Sequence, residues 1–301
     1  MAKKKQDLPQ RVFTKAKDDA DAARSAGVLP QTSDSAYRLA YTDSEFLLRD
    51  DLRPVRFQLE LLKPELLLEE AGIGSTFVVY GSARIPAPDK ADAIVEAAKT
   101  DTQRRIAERL KAKSHYYEVA RELAQIASRE GGEEDGKKQF VVCSGGGPSI
   151  MEAANRGARD VGAETVGLNI ALPFEQAPND YVTPHLSFNF HYFALRKMHF
   201  LMRARAVAVF PGGFGTFDEF FELLTLIQTG KMAVVPILLY GKDFWTKVVD
   251  FDVLVEEGVV APQDLDLIHY CETAEEGWAH VQDYYQRYTE KRFRKGRGEK
   301  H

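Results

Sequence analysis

The spacing of hydrophobic positions along this chain changes from a helical to a strand-like period near residue 75. From Thr42 to Gly72 apolar residues recur at helical spacing, and "TDSEF" offers a helix N-cap. We predict a kink or split at Pro64, because proline lacks the N–H that a helix interior needs. Residues 1–41 have little apolar periodicity, which is typical of a disordered polar tail.

From Ser75 onward, short apolar runs alternate with helical segments. One long helix is predicted over residues 89–130, with a break near 111–114, and one helical segment over 242–258. The segment "GGEEDGKKQ" (131–139) reads as a turn. The alternation predicts an α/β fold, a Rossmann-like parallel sheet flanked by helices on both faces, with extra N-terminal helices. We predict one nucleotide-binding catalytic domain over 42–290 and a basic tail over 291–301.

Composition narrows the class of protein. The 301 residues carry a net charge of −5, whereas a dedicated nucleic-acid binder usually has a strongly basic domain. Cys143 and Cys271 form neither a disulfide framework nor a metal-ligand motif, and their apolar neighbours predict burial. No apolar run approaches the ~18 residues of a membrane span, and no leader opens the sequence. We therefore expect a soluble cytoplasmic protein with neither a nucleic-acid nor a membrane partner.

Three glycine-containing loops follow predicted strands: "YGSAR" (80–84), "CSGGGPS" (143–149) and "FPGGFGT" (210–216). In parallel sheets, ligands bind where such loops lead into helix N-termini, whose free N–H groups suit phosphate. None of the three is a Walker A motif or a GxGxxG motif with a distant acid, so NAD binding is not supported. One glycine loop can be only a tight connection, whereas three successive loops favour a phosphate site.

The segment "PGGFGTFDE" resembles the PGGxGTxxE signature of the LONELY GUY (LOG) family, long labelled "lysine decarboxylase-like". Companion motifs are "SGGGPSIMEAANRGA" and the Arg-Lys pair of "ALRKMHF", and the resemblance covers residues 75–240. "LPFEQAPNDYV" and "FNFHYFALRKM" are similar to the longer bacterial branch. The resemblance implies a metal-independent enzyme without a cofactor that releases free base and ribose 5-phosphate from AMP or N6-modified AMP. It would be an AMP nucleosidase or an enzyme of cytokinin biosynthesis, and a homodimer with sites near the interface.

Cleavage of an N-glycosidic bond builds positive charge on the ribose, which a carboxylate stabilises. Glu219 matches the closing acid of the signature and Arg196 the family's catalytic arginine, so these two are the predicted catalytic residues. Asp218 is expected to be exposed or capping, and Glu222 to lie behind Glu219. The predicted substrate- and phosphate-binding residues are Gly81, Ser82, Gly145, Gly146, Gly147, Lys197, Pro211, Gly212, Gly213, Gly215 and Thr216.

Each assignment has a structural alternative. Glu219 can stabilise a helix N-terminus, Thr216 can be an N-cap, and the Arg-Lys pair can be a solvated helix face. Adjacent helical side chains point about 100° apart, so at most one of that pair faces the ligand, and Arg196 is preferred. A non-catalytic nucleotide-binding or sensing protein on the same fold is the alternative function. The aromatic residues that could stack on a purine, or lie in the core or an interface, are Phe188, Phe190, Tyr192 and Phe193.

The residues of this sequence do not support the lysine decarboxylase label. Pyridoxal phosphate chemistry needs a Schiff-base lysine with a partner for the pyridine nitrogen, and no lysine of the sequence stands out for that role. Between AMP and N6-modified AMP the sequence does not choose, because base preference depends on pocket shape.

Overall fold

The computed structural model describes residues 13–25, 29–173 and 177–298, with side chains up to residue 287. The chain divides into two compact units, residues 1–60 and 61–301. The predicted single domain over 42–290 stays a prediction. The helices, in chain order, are α1 (Ala16–Ser25), α2 (Pro30–Ser33), α3 (Ser44–Leu47), α4 (Arg53–Glu70), α5 (Ala91–Glu96), α6 (Asp101–Lys111), α7 (His115–Glu130), α8 (Ile150–Asp160), α9 (Phe193–Met202), α10 (Phe214–Gln228), α11 (Lys242–Val248), α12 (Phe251–Glu256) and α13 (Ala274–Gly298).

The first unit contains short helices within the segment predicted as a disordered tail. Both α1 and α2 lie before residue 42, and neither buries a side chain, so no apolar stripe marks them in the sequence. Residues 1–12 and 26–28 lie outside the described residues. The predicted cap is confirmed: the carboxylate of Asp43 accepts hydrogen bonds from the backbone N–H groups of Glu45 and Phe46 at the start of α3.

Helix α4 is continuous through Pro64, so the predicted split at this position is wrong. Pro64 and Leu68, one turn apart, are both buried. Burial of this face offsets the hydrogen bond that proline cannot donate.

A seven-stranded parallel sheet forms the centre of the second unit, in the order β6-β5-β4-β1-β7-β8-β9. The two remaining strands of the described residues, β2 and β3, form a separate antiparallel pair. The strands are β1 (Thr76–Tyr80), β2 (Glu133–Glu134), β3 (Lys137–Lys138), β4 (Val141–Ser144), β5 (Val166–Ile170), β6 (Ser187–Phe190), β7 (Ala204–Val209), β8 (Ile237–Tyr240) and β9 (Ile268–Cys271).

Helices cover both faces of the sheet. On one face, Phe77 and Val79 of β1 belong to the same buried cluster as residues of α7, α8 and α13. On the other face, the ring of Tyr80 lies 5.1 Å from that of Phe200 on α9, measured between centroids. Because successive side chains of a strand alternate between faces, a strand with all five residues buried requires a helix layer on each side. The predicted fold class is confirmed.

Three segments are more divided than their patterns predict. The long helix over 89–130 is α5, α6 and α7; the break at 112–114 is as expected, but a second break precedes α6, where Thr100 and Gln103 form a capping box. The predicted turn at 131–139 contains the β2–β3 hairpin, whose central residues Asp135 and Gly136 have φ of 53° and 74°. The helical segment over 242–258 is α11 and α12, separated where Asp250 caps the second.

The last helix of the chain is longer than predicted, whereas the cysteines lie as predicted. Helix α13 runs to Gly298, through most of the segment predicted as a basic tail, and 299–301 lie outside the described residues. Cys143 and Cys271 are free and buried, as predicted. Over the described ranges, no helix is both long enough and apolar enough to span a membrane.

The strand order changes direction beside β1. After β1 the chain continues to β4, β5 and β6 on one side, then returns to β7 on the other side and continues to β8 and β9. β1 and β7 are therefore adjacent strands, and the chain that follows each of them leads to opposite sides of the sheet. A crevice at such a switch point, outside the carboxyl ends of the strands, is where open α/β sheets bind ligands.

Candidate active site

A cavity of about 880 Å³ lies at this switch point, within the usual size range of small-molecule sites. The loop after β1 (81–84) forms one part of its lining, and the turn into α10 (212–217) together with Glu219 forms another. Met151, Arg196, Phe244 and Val248 complete it. Two of the three predicted glycine loops thus meet around one space, together with both predicted catalytic side chains.

Arg196 and Glu219 form a buried ion pair in this cavity. Nη1 of Arg196 donates to Oε1 of Glu219 at 2.8 Å, and the two side chains are only 10% and 13% exposed. Nε of Arg196 donates to the carbonyl oxygen of Leu168 at 2.6 Å, and the guanidinium carbon lies 4.9 Å from the centroid of the Phe200 ring. The guanidinium is therefore held in one orientation, with Nη2 not used by these two hydrogen bonds.

Burial changes the acidity of Glu219. Removal from water disfavours the carboxylate and raises the pKa of Glu219 to about 7, although the charge of Arg196 opposes this shift. A carboxyl group with a pKa near 7 exchanges its proton readily at neutral pH, which is the property required of a general base.

The N-terminus of α10 faces the cavity without a side-chain cap. Gly213 is the N-cap residue and Thr216 the third residue of the helix, so Thr216 is not the cap. The N–H of Phe217 donates to the carbonyl of Gly213 at 3.0 Å, whereas the first-turn N–H groups before it have no intrahelical acceptor. Free N–H groups and the positive end of the helix dipole make this turn suited to an anion.

Gly212 lets this turn close tightly. A Cβ atom on Gly212 would lie 2.1 Å from Oγ1 of Thr216, which is itself buried, so only glycine fits. The first loop is tied to the same turn, since the N–H of Ser82 donates to the carbonyl of Pro211 at 3.1 Å. Pro211 is thus a buried support of the site, and its carbonyl connects the two loops.

The second glycine loop lies behind Arg196. None of Gly145, Gly146 and Gly147 is among the residues that line the described cavity. A Cβ atom on Gly145 would lie 2.6 Å from Nη2 of Arg196, so this glycine leaves room for the guanidinium. Gly146 has φ of 70°, and its carbonyl and that of Gly147 accept hydrogen bonds from Nδ2 of Asn179 at 3.1 and 2.9 Å.

A buried amide network supports that second loop. Oδ1 of Asn155, a residue with no exposed surface, accepts hydrogen bonds from Ser144 Oγ at 2.7 Å and from Asn179 Nδ2 at 2.9 Å. Nδ2 of Asn155 donates to Thr165 Oγ1 at 2.7 Å. The loop that positions Arg196 is therefore anchored by polar groups that sequence reasoning did not single out.

Lys197 lies outside the cavity lining. Its ammonium group contacts the carboxylates of Asp218 and Glu222 at 2.9 and 3.0 Å. Burial alone would lower the pKa of Lys197, but these two carboxylates outweigh it and raise the pKa. The structure thus separates the Arg-Lys pair: Arg196 reaches Glu219, and Lys197 holds the neighbouring acids of α10.

The aromatic residues at the cavity differ from those proposed for base stacking. Phe188 and Phe190 are buried in the core, and neither they nor Tyr192 and Phe193 belong to the described lining. The aromatic side chains at the cavity are Phe214, Phe217 and Phe244. Phe214 and Phe217 occupy the variable positions of the glycine motif, and Phe244 and Val248 lie one turn apart on α11; this helical spacing was the available signal.

Two known sequences or families resemble part of this chain. A family model described as "Possible lysine decarboxylase" matches residues 151–281. A curated relative, the cytokinin riboside 5′-monophosphate phosphoribohydrolase LOG3 of Arabidopsis thaliana, is 25% identical over 147 residues, which are 48% of this chain and 67% of that protein. Over these residues the chain is similar to the LOG family. The matched segment contains the Arg196–Glu219 pair and the "PGGFGTFDE" turn, and it begins after the first two glycine loops.

Solved structures that match this chain include the X-ray structure of TM1055, at 20% identity, with a TM-score of 0.44 over 69% of this chain and 99% of that one. The Moco carrier protein from Chlamydomonas reinhardtii is 16% identical, with a TM-score of 0.41 over 71% and 99% of the two chains.

The description of the family model raises pyridoxal phosphate chemistry, which requires a lysine able to form a Schiff base. No lysine is among the described residues that line the cavity, and Lys197 is kept protonated by two carboxylates. The residues of the site therefore do not fit that cofactor. In the described part of the chain, no group of three or more His, Cys, Asp or Glu side chains is placed to hold a metal ion.

Proposed function

We propose that this chain hydrolyses the N-glycosidic bond of AMP or of N6-modified AMP, releasing free base and ribose 5-phosphate. The observation that carries the proposal is the buried Arg196–Glu219 pair at 2.8 Å, beside the uncapped N-terminus of α10 in one cavity. Similarity to a phosphoribohydrolase of the LOG family supports an enzyme of this type.

The proposed reaction uses each of these groups. The phosphate binds the free N–H groups at the start of α10, which places the ribose close to Glu219. Water attacks C1′ as the C1′–N9 bond breaks, the carboxylate of Glu219 takes a proton from that water, and the bonding pair leaves on N9. That proton then passes from Glu219 to the base, directly or through solvent, which gives the neutral free base and restores the carboxylate. Glu219 also stabilises the positive charge that develops on the ribose, and the charge of Arg196 faces the departing base.

The apolar part of the lining suits the base. Phe214 is 96% exposed at the first position of α10, and Phe244 and Val248 lie on α11 beside the same cavity. Aromatic and aliphatic surface of this kind can cover a purine ring or an apolar N6 substituent. This lining supports an aromatic leaving group, and both AMP and N6-modified AMP remain within the proposal.

The test compares two adjacent acids of α10. The purified full chain is incubated with AMP and with N6-isopentenyl-AMP, and free base is measured by chromatography. We expect Glu219→Gln to lower kcat by about 10²- to 10⁴-fold, the usual contribution of a general base. Asp218→Asn is the matched control and should stay within about fivefold of wild type, because exposed ion pairs contribute little.

Binding of AMP by wild type without release of base would overturn the enzymatic proposal in favour of a nucleotide sensor. Equal activity of Glu219→Gln and wild type would overturn the role given to Glu219. Arg196→Lys keeps the charge but removes the planar fork, so we expect it to fold and to lose activity.

A further inference from the structure

Arg84 lines the cavity and forms no salt bridge with a carboxylate of the described residues. Arg84 and Arg196 are the two cations among the described residues of the lining. Arg196 is paired with Glu219, and Lys197, outside the lining, is paired with Asp218 and Glu222. Arg84 is exposed and forms no ion pair with any described residue.

The backbone of Arg84 is fixed on both sides. Its N–H donates to Oγ of Ser82 at 2.9 Å, and Ser82 is in turn bonded to the carbonyl of Pro211. The next residue, Ile85, is 1% exposed, and its carbonyl accepts a hydrogen bond from the hydroxyl of Ser149. The main chain is therefore held at the cavity while the guanidinium is left available.

We propose that Arg84 recognises the 5′-phosphate of the substrate and makes the site select nucleoside monophosphates over nucleosides. That the bound anion is the phosphate of AMP rests on the proposed function. That the site binds an anion rests on the residues that line the cavity. A phosphate dianion at the uncapped turn of α10 needs positive charge, and Arg196 is already paired with Glu219 and assigned to the departing base. A guanidinium can donate two parallel hydrogen bonds to phosphate oxygens, which a neutral 5′-hydroxyl cannot match.

Binding tests this role without depending on turnover. Isothermal titration calorimetry measures AMP, adenosine and inorganic phosphate binding to wild type, Arg84→Ala and Arg84→Lys. We expect Arg84→Ala to weaken AMP and inorganic phosphate by about 10- to 100-fold, the range of a hydrogen bond to a charged group, and to leave adenosine unchanged. Arg84→Lys should recover part of the loss. Arg104→Ala, an exposed arginine of α6, is the matched control and should bind as wild type does.

Kinetics with AMP provide a second reading. Since Arg84 is assigned to the phosphate and not to the reacting bond, KM should rise in Arg84→Ala while kcat stays within a few-fold of wild type. A fall in kcat at unchanged KM would contradict the assignment.

Equal AMP affinity of wild type and Arg84→Ala would overturn the inference, as would an equal loss of AMP and adenosine, or a wild type that binds neither AMP nor inorganic phosphate. If Arg84-dependent AMP binding occurs without release of base, the proposed function fails while the role of Arg84 stands.

Discussion

The Glu219 carboxyl group touches a guanidinium and still holds its proton up to near-neutral pH. Burial is the larger effect on its pKa, and the charge of Arg196 only partly compensates it. At the start of a helix exposed to water, the same carboxyl group would be ionised throughout the physiological range. The raised pKa of Glu219 is therefore a consequence of its burial in the cavity.

The pH dependence of catalysis should follow this carboxyl group. Because the carboxylate is the active form, we expect kcat/KM for base release to rise with pH and to level off above about 7, the pKa of Glu219. Steady-state kinetics between pH 5 and 9 measure this profile.

The second ionisation of the AMP phosphate, with a pKa of about 6, needs a control. The inhibition constant of ribose 5-phosphate, a phosphate monoester like AMP, measured over the same range, reports the ionisation of this phosphate without the chemistry. A profile of kcat/KM that only follows this inhibition constant, or one that falls across neutral pH, would contradict the role of Glu219.

At the level of elements, the turn that begins α10 depends on two adjacent glycines with different surroundings. A Cβ atom on Gly212 would meet Oγ1 of Thr216 at 2.1 Å, whereas a Cβ atom on Gly213 has no neighbour within 4 Å. Gly213 also has φ of −102°, which any residue adopts.

We therefore expect Gly212→Ala to destabilise the second unit by about 1–3 kcal/mol, the cost of overpacking, and to weaken AMP binding by displacing the turn. Gly213→Ala should unfold as wild type does. Thermal unfolding and calorimetry with AMP make the comparison, and equal melting temperatures for the two variants would show that the turn tolerates a methyl group at Gly212.

The sequence predicts the helices, strands and loops of the site better than it predicts the contacts between their side chains. Strand–loop–helix patterns give the sheet, and the motif around Gly212 gives the position of Glu219 on α10. The position of Gly145 behind Arg196 cannot be predicted from the sequence. It depends on how α9 packs against the sheet and therefore on where the guanidinium lies. Arg84 was likewise missed, since one arginine after a glycine loop has no signature until the cavity is seen.

The different contacts of Arg196 and Lys197 are also only partly predictable from the sequence. Helical geometry predicts that Arg196 and Lys197 diverge. It does not predict that two carboxylates of α10 would hold Lys197, because that depends on the packing of α9 beside α10. Local pattern thus fixes the elements, and the packing between them decides which residues reach the ligand.

At the scale of the whole second unit, the site requires more of the chain than the matched family segment. That segment begins at residue 151, yet the loop 81–84 after β1 lines the cavity. β1 pairs in parallel with both β4 and β7, so the first loop and the turn into α10 meet only when the central strand is in place. Residues 151–281 alone would lack the central strand and part of the lining.

Helix α13 completes the sheet face opposite α9, and Trp278 anchors it. This side chain is 5% exposed, its Nε1 donates to Oε2 of Glu130 on α7 at 2.6 Å, and its ring meets those of Phe77 and Phe140 edge-on at 6.2 and 5.5 Å. Its removal would leave a cavity against the central strand.

Trp278→Ala should therefore lower the free energy of unfolding by about 3–5 kcal/mol, as for other buried aromatic side chains. Phe214→Ala, which removes a ring that is 96% exposed, should change it by no more than about 0.5 kcal/mol. Denaturant unfolding followed by fluorescence is suitable, because the chain has two tryptophans and the other, Trp245, is fully buried in the same unit and reports in both variants. If Trp278→Ala unfolded at the same denaturant concentration as Phe214→Ala, α13 would contribute nothing to the stability of the sheet that carries the site.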